Sequence, residues 1–123
     1  MTTSLQFAPV DFDHFHRVEL PARIASGNGR LAAGDVATVE PIAFQLADGR
    51  AYTYRPGGDT ATIEPGVAAG GTVVELSAEA WSDYVNELRT CFGLLYANLV
   101  SFPHGTFDDL ARWEPALRAL FHG

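Results

Sequence analysis

Four short segments of alternating apolar residues lie between Ile42 and Leu76, parted by Gly, Pro and Asp turns, and an amphipathic helical pattern opens directly after them at Ser77. No other feature constrains the fold as much. Short strands joined by tight turns pair as a mainly antiparallel sheet, and the helical sequence on either side must cover one of its faces. In Ile42-Ala43-Phe44-Gln45-Leu46 the residues Ile42, Phe44 and Leu46 share a face, and in Ala51-Tyr52-Thr53-Tyr54 the two tyrosines do. Asp48-Gly49 between them tolerates the positive φ that a primed hairpin turn demands. Arg55-Pro56-Gly57-Gly58-Asp59 reads as a second turn, Thr60 to Glu64 as a third strand ended by Pro65-Gly66, and Thr72 to Leu76 as a fourth. Thr72, Val74 and Leu76 fall on one side of it.

Upstream, Asp11 is placed to cap a helix bearing Phe12, Phe15 and Val18, and Pro21 fits the first turn of a restarted helix over Leu20 to Ala25. Gly27-Asn28-Gly29 is expected to stop that helix, and Gly34 to end a further turn from Arg30. Downstream, Ser77 caps a helix with Glu79 in its first turn, and Trp81, Tyr84, Val85, Leu88, Phe92 and Leu95 form an apolar stripe. Gly93 weakens that helix by about 1 kcal/mol relative to alanine, which predicts a bend or break between Thr90 and Gly93. The apolar run from Cys91 to Phe102 is expected to be deeply buried and to stop at Pro103. Thr106 with Asp109 forms a capping-box variant for a last helix, which Pro115 kinks or restarts before Leu117, Leu120 and Phe121.

The chain of 123 residues is read as a single domain over 1–123, long enough to bury roughly two-thirds of its unfolded surface. Its last residue directly follows an amphipathic pattern, compatible with a domain cut from a longer protein and with a natural terminus alike. Eight basic against fifteen acidic residues give a formal charge of −7, which disfavours nucleic acid and anionic lipid as partners. No apolar run approaches the roughly 20 residues of a membrane span and no signal core opens the chain, so no stable membrane anchor is expected and the natural location is cytoplasmic. A single cysteine excludes an internal disulfide and a cysteine-built zinc site.

Catalytic chemistry is sparse. Asp11, Asp13, His14 and His16 are the densest group of metal-capable side chains, but on a helix the two histidines lie about 200° apart. The group reads as a solvated helix face, and no metal or cofactor is expected. No His-x-Asp or His-x-Glu occurs, so the usual facial triad of iron oxygenases cannot be assembled. Gly27-Asn28-Gly29-Arg30-Leu31-Ala32 matches Gly-x-Gly-x-x-Ala, yet a helix rather than a strand precedes it, so it reads as a helix stop. Cys91 sits on the apolar stripe without an activating base and reads as a buried, inert thiol. Asp48, Asp59, Asp83, Asp108 and Asp109 read as turn, cap and surface residues. The aromatic and aliphatic residues remain. They either form a closed core or line in part a ligand cavity or a partner contact.

Leu20-Pro21-Ala22-Arg23-Ile24-Ala25, Ala43-Phe44-Gln45-Leu46-Ala47-Asp48-Gly49, Ile63-Glu64-Pro65-Gly66 and Thr72-Val73-Val74-Glu75-Leu76-Ser77-Ala78-Glu79-Ala80-Trp81 together resemble the sterol-carrier-protein (sterol-binding, lipid-transfer) family. The likeness runs from Pro21 to Glu87. Past Arg89, the segments Arg89 to Ala97 and Arg112 to Leu117 look more like the N-terminal extension of some bacterial proteins similar to phytanoyl-CoA dioxygenases. The resemblance implies an α+β fold with a four- to five-stranded, mainly antiparallel twisted sheet and helices packed on one face. It implies a non-catalytic domain for a fatty-acyl, acyl-CoA or sterol-like ligand, accessory to a phytanoyl-CoA dioxygenase-like, iron- and 2-oxoglutarate-dependent oxygenase. On the stripe and strand pattern, Trp81, Tyr84, Leu88, Phe92 and Tyr96 are assigned to the helical wall of the ligand site and Phe44 and Leu46 to its sheet wall. The alternative is a protein–protein docking or dimerisation module with no small-molecule ligand.

Overall fold

The hairpin at Asp48-Gly49 organises the sheet. In a computed structural model, which describes residues 9–57, 60–68 and 70–123, β1 (Ile42–Leu46) and β2 (Ala51–Gly57) run antiparallel with Phe44 opposite Tyr52 and Ile42 opposite Tyr54. Gly49 turns the chain at φ +95°, and the Asp48 carboxylate accepts the Arg50 N–H at 3.0 Å. β3 (Thr60–Pro65) pairs antiparallel with β2, bringing Ile63 opposite Tyr54. β4 (Thr72–Leu76) lies parallel to β1 on its other side, with Val74 beside Phe44 and Leu76 beside Leu46. A fifth strand, β5 (Val100–His104), closes the order β3-β2-β1-β4-β5 by pairing antiparallel with β4. The protein is therefore α+β, with one mixed, mostly antiparallel sheet.

Alternation sets the two faces apart. Ile42, Phe44, Leu46, Tyr52, Tyr54, Val74 and Leu76 point into the core shared with the helices. On the outer face the small residues Ala43, Ala51 and Thr53 are buried, the last by a loop that laps over it: Thr53 Oγ1 donates to the Gly66 carbonyl at 2.7 Å and accepts from Ala68 N at 3.0 Å.

Before the sheet, α1 (Phe12–His14), α2 (Leu20–Arg23) and α3 (Gly29–Val36) follow one another through two π-helical turns, Phe15–Glu19 and Ile24–Asn28. Asp11 caps the run, accepting from His14 N at 2.7 Å. The expected stop at Gly27-Asn28-Gly29 is instead a kink. Gly27 takes φ +134°, and the helix resumes at Gly29 and passes through Gly34 to Val36. A Cβ at Gly29 would stand 2.8 Å from both Ile24 Cγ2 and Thr60 Cγ2, so glycine lets this kink lie against the start of β3. Gly29→Ala is expected to cost about 1–3 kcal/mol by overpacking, measured by urea unfolding; a neutral result would show that the two methyls simply move aside.

After the sheet, Ser77 caps α4 (Ala78–Val85) by accepting from Ala80 N at 3.0 Å. The break expected between Thr90 and Gly93 occurs a few residues earlier, after Val85, and the second helix starts at Cys91. Glu87 adopts φ +60°, Glu87 N donates to Tyr84 O at 3.1 Å and Leu88 N to Asp83 O at 2.8 Å, which is a Schellman stop built without glycine. Thr90 caps a new helix, α5 (Cys91–Tyr96), and that helix ends in the same way: Asn98 has φ +59°, Asn98 N donates to Leu95 O at 3.0 Å and Leu99 N to Leu94 O at 2.9 Å. The chain then leaves α5 as β5 rather than as buried helix. α6 (Phe107–His122) opens at Thr106, whose N–H donates to Asp109 Oδ2 at 3.1 Å, and carries Pro115 inside a single helix. Its last carbonyls are held by side chains from the N-terminal run: Arg23 donates to Phe121 O at 2.7 Å and Asn28 to Leu120 O at 2.9 Å.

Candidate functional site

The residues expected to line a ligand site divide into two groups. Phe44, Leu46, Trp81 and Tyr84 are buried, whereas Leu88, Phe92 and Tyr96 are 53%, 50% and 83% exposed. The physical reason is the stop at Glu87, which ends the helical stripe after Val85 and places Leu88 outside any helix. On α5 the offsets then sort the side chains: Cys91 and Leu94 face inward, and Phe92, Leu95 and Tyr96 share the outer face. The burial expected for the run Cys91 to Phe102 therefore holds at Cys91 and Leu94 and fails on that outer face. Phe92 meets Phe107 edge-on at 5.1 Å between ring centroids, so the exposed face continues to the start of α6.

The inner group is packed ring on ring. Trp81 lies 5.0 Å from Phe44 and 5.8 Å from Phe121 between centroids, and Phe44 lies 5.4 Å from Tyr54 and 6.4 Å from Tyr84. Behind Tyr84 the packing gives way to a cavity of about 160 Å³ between the end of α4, the link to α5 and the C-terminal half of α6. Leu117, Phe121 and Tyr84 line it together with Glu114, Arg89 and Arg118. His122 donates from Nε2 to the Val85 carbonyl at 2.6 Å and ties the end of α6 to the end of α4 beside it.

Glu114 is the residue that sequence reading missed. It lies 23 positions from Cys91, and only the packing of α5 on α6 brings them together. Its Oε1 accepts the Cys91 N–H and its Oε2 the Cys91 S–H, both at 2.9 Å. Burial and that bond to a carboxylate push the Cys91 thiol up to about 12 and hold the sulfur protonated; its burial is as expected. Burial, followed by the charge of the adjacent Glu114, also raises the Tyr84 phenol well above its ordinary value.

The polar cluster near the N-terminus has a different fate from the one expected. His14 is exposed and pairs with Glu19 at 3.2 Å, and Asp13 accepts from Arg50 and from the Tyr52 hydroxyl at 2.8 Å each. His16, read as part of a solvated face, is 2% exposed and stacks on Tyr52 at 4.4 Å and on Trp81 at 4.9 Å. Its Nδ1–H donates to the Phe12 carbonyl at 2.8 Å, so its Nε2 is the bare nitrogen that accepts the Tyr54 O–H at 2.7 Å. Burial lowers its pKa to about 4 and keeps it neutral. Among the described residues no three His, Cys, Asp or Glu side chains gather as metal ligands.

Of the expected turn and cap acids, Asp48 serves the hairpin, Asp109 the cap of α6, and Asp83 stands 3.7 Å from Arg89. Gly58 and Asp59 of the second turn, and the chain before Pro9, lie outside the described residues. No helix among the described residues is long and apolar enough to cross a membrane.

No family model matches the sequence, and no curated protein matches it. Solved structures do. Sterol carrier protein 2 of Yarrowia lipolytica, in its apo form, superposes with a TM-score of 0.66 at 13% identity over 95% of this chain and 100% of that one. A conserved hypothetical protein of Thermus thermophilus, described as possibly a sterol carrier protein, gives 0.63 at 17% identity over 98% and 91%. The inverting sec-alkylsulfatase Pisa1 of Pseudomonas sp. gives 0.54 at 12% identity, covering 67% of this chain and 13% of the enzyme. The chain thus has the sterol-carrier-protein fold expected from its strand and turn motifs.

Proposed function

We propose that this domain is a non-catalytic carrier that binds or presents a hydrophobic small molecule of fatty-acyl, acyl-CoA or sterol-like character. The observation that carries the reading is the apolar face of Phe92, Leu95 and Tyr96, left exposed on α5 just after the Arg89-Thr90 segment that lines the cavity. Exposed aromatic and aliphatic side chains gathered on one face mark a binding surface, and α5 holds the body by only two buried side chains, Cys91 and Leu94. In this reading Tyr84 meets the buried end of the ligand, Leu88, Phe92 and Tyr96 cover its outer part, and Phe44, Leu46 and Trp81 are the wall behind Tyr84. The fold of sterol carrier protein 2 supports the same reading. Its test is uptake of a pyrene-labelled alkyl chain. Phe92→Ser is expected to weaken uptake about tenfold without unfolding the protein, because it removes apolar contact from an exposed site. No uptake by the unmodified protein would sink the reading.

A second reading, docking onto a catalytic partner or a second copy, is favoured by the alkylsulfatase match, in which this fold occupies a small share of an enzyme chain. The phytanoyl-CoA dioxygenase-like partner implied by Arg89 to Ala97 belongs to this reading. Light scattering separates the two: a concentration-dependent dimer with no uptake of the probe favours docking.

A further inference from the structure

Between the end of α4 and the start of β5 the chain reaches the interior at only two points. Of residues 86–99, Cys91 and Leu94 alone are buried, while Leu88, Phe92, Leu95 and Tyr96 are exposed. The structure on either side is held: His122 donates to the Val85 carbonyl at 2.6 Å, and Val100 pairs with Leu76 in the sheet. Beneath the first half of the stretch lies the cavity of about 160 Å³, lined by Glu87, Arg89 and Thr90 from this segment and by Leu117 and Phe121 from α6. The ion pairs across it are exposed and long, Arg89 to Asp83 at 3.7 Å and Arg118 to Glu87 at 3.4 Å, and such surface pairs add little.

Both junctions favour release. Glu87 at φ +60° and Asn98 at φ +59° are non-glycine residues held in the left-handed region, which is unfavourable for glutamate above all, and letting go relaxes them. What opposes release is Leu94 and one carboxylate. Glu114 on α6 accepts the Cys91 N–H and the Cys91 S–H at 2.9 Å each, so both donors of the first α5 residue end on a single side chain. Segments with few buried contacts open at a much lower free energy than the whole fold. We infer that residues 86–99 open as one unit, turning about Glu87 and Asn98 while the sheet and α6 stay folded, and that Glu114 is the latch. Release uncovers Leu117 and Phe121, which are buried on the far side of the cavity. The opening is a property of the chain itself and does not depend on what the domain carries.

The test uses the ligand-free protein, in which Cys91 is the only thiol. Labelling of Cys91 by an aromatic disulfide reagent is followed at rising urea beside global unfolding, and amide hydrogen exchange is read by NMR at Leu94 and Ala97, whose N–H groups donate to Thr90 O and Gly93 O, and at Phe44 in the central strand β1. The urea dependence of labelling is expected to be about a third of that of global unfolding or less, and Leu94 and Ala97 to exchange together about a hundredfold faster than Phe44. Glu114→Gln, which leaves Cys91 one acceptor oxygen instead of two, is expected to hasten exchange at Leu94 and Ala97 about tenfold and to leave Phe44 unchanged. These amides do not sense the thiol's own reactivity, so they separate unlatching from a merely more reactive sulfur. Labelling with the full urea dependence of global unfolding overturns the opening. A Glu114→Gln variant that leaves Leu94 and Ala97 unchanged, or that hastens Phe44 as much, overturns the latch. No probe is bound in these measurements, so their failure leaves the carrier reading standing, and failed pyrene uptake leaves the opening standing.

Discussion

Trp81→Ala is expected to destabilise the fold by about 3–5 kcal/mol. The indole is fully buried and touches rings from several parts of the chain: Phe12 at 5.5 Å and Phe15 at 6.0 Å from the N-terminal run, His16 at 4.9 Å beside them, Phe44 at 5.0 Å from β1 and Phe121 at 5.8 Å from α6. Truncation removes the common neighbour of all of them and leaves a hole that the sheet, held by its register, cannot close. Domains of this size are stable by about 5–15 kcal/mol, so the variant would sit near the edge of folding. Trp81→Phe should cost far less, because it keeps most of the volume and deletes an indole N–H that has no hydrogen-bond partner. Urea unfolding of the two variants measures both. A loss below about 1 kcal/mol for the alanine variant would mean that the ring cluster is not one closed interior.

The second large effect is on acid stability. In the unfolded chain His16 takes up its proton near its ordinary value of 6.5, whereas in the fold burial delays that to about 4. Between those limits the unfolded state binds more protons, so stability is fully present above pH 6.5 and is lost as the pH falls toward 4. The loss amounts to about 3 kcal/mol. Protonation would also put a hydrogen on Nε2, where Tyr54 now donates, and turn that bond into a clash of two donors. Asp13 and Asp109 titrate below the ordinary carboxylate value, Asp13 because Arg50 and Tyr52 donate to it and Asp109 because Thr72 does, so their losses come at lower pH. Denaturation curves at pH 7 and pH 4.5 test the expectation. In His16→Gln the dependence in this window should vanish; if it persists, another group is responsible.

Much of the fold was legible because alternation and turn chemistry are local. The faces of β1, β2 and β4, the Asp48-Gly49 hairpin, and the caps at Asp11, Ser77 and Thr106 all follow from neighbouring residues, and all appear as read. The failures have a shared cause. Glu87 and Asn98 turn the chain left-handed where glycine is the usual signal, so the helical stripe through Leu88, Phe92 and Leu95 looked continuous. With that signal absent, the alternation of Val100 and Phe102 in β5 was absorbed into an apolar run. The candidate site was harder still. His16 was misjudged because its burial depends on Tyr52 and Tyr54, which reach it only once β2 has paired, and Glu114 because its partners lie across the fold.

Helix α5 has clean breaks at both ends and two inward side chains, so it behaves as a cartridge clipped onto a finished frame. Its outward positions 92, 95 and 96 carry no strand register and no ring of the central cluster. Exchanging them for other chemistries is expected to leave the frame's shape unchanged, which makes this short segment the natural place to re-engineer the proposed carrier surface.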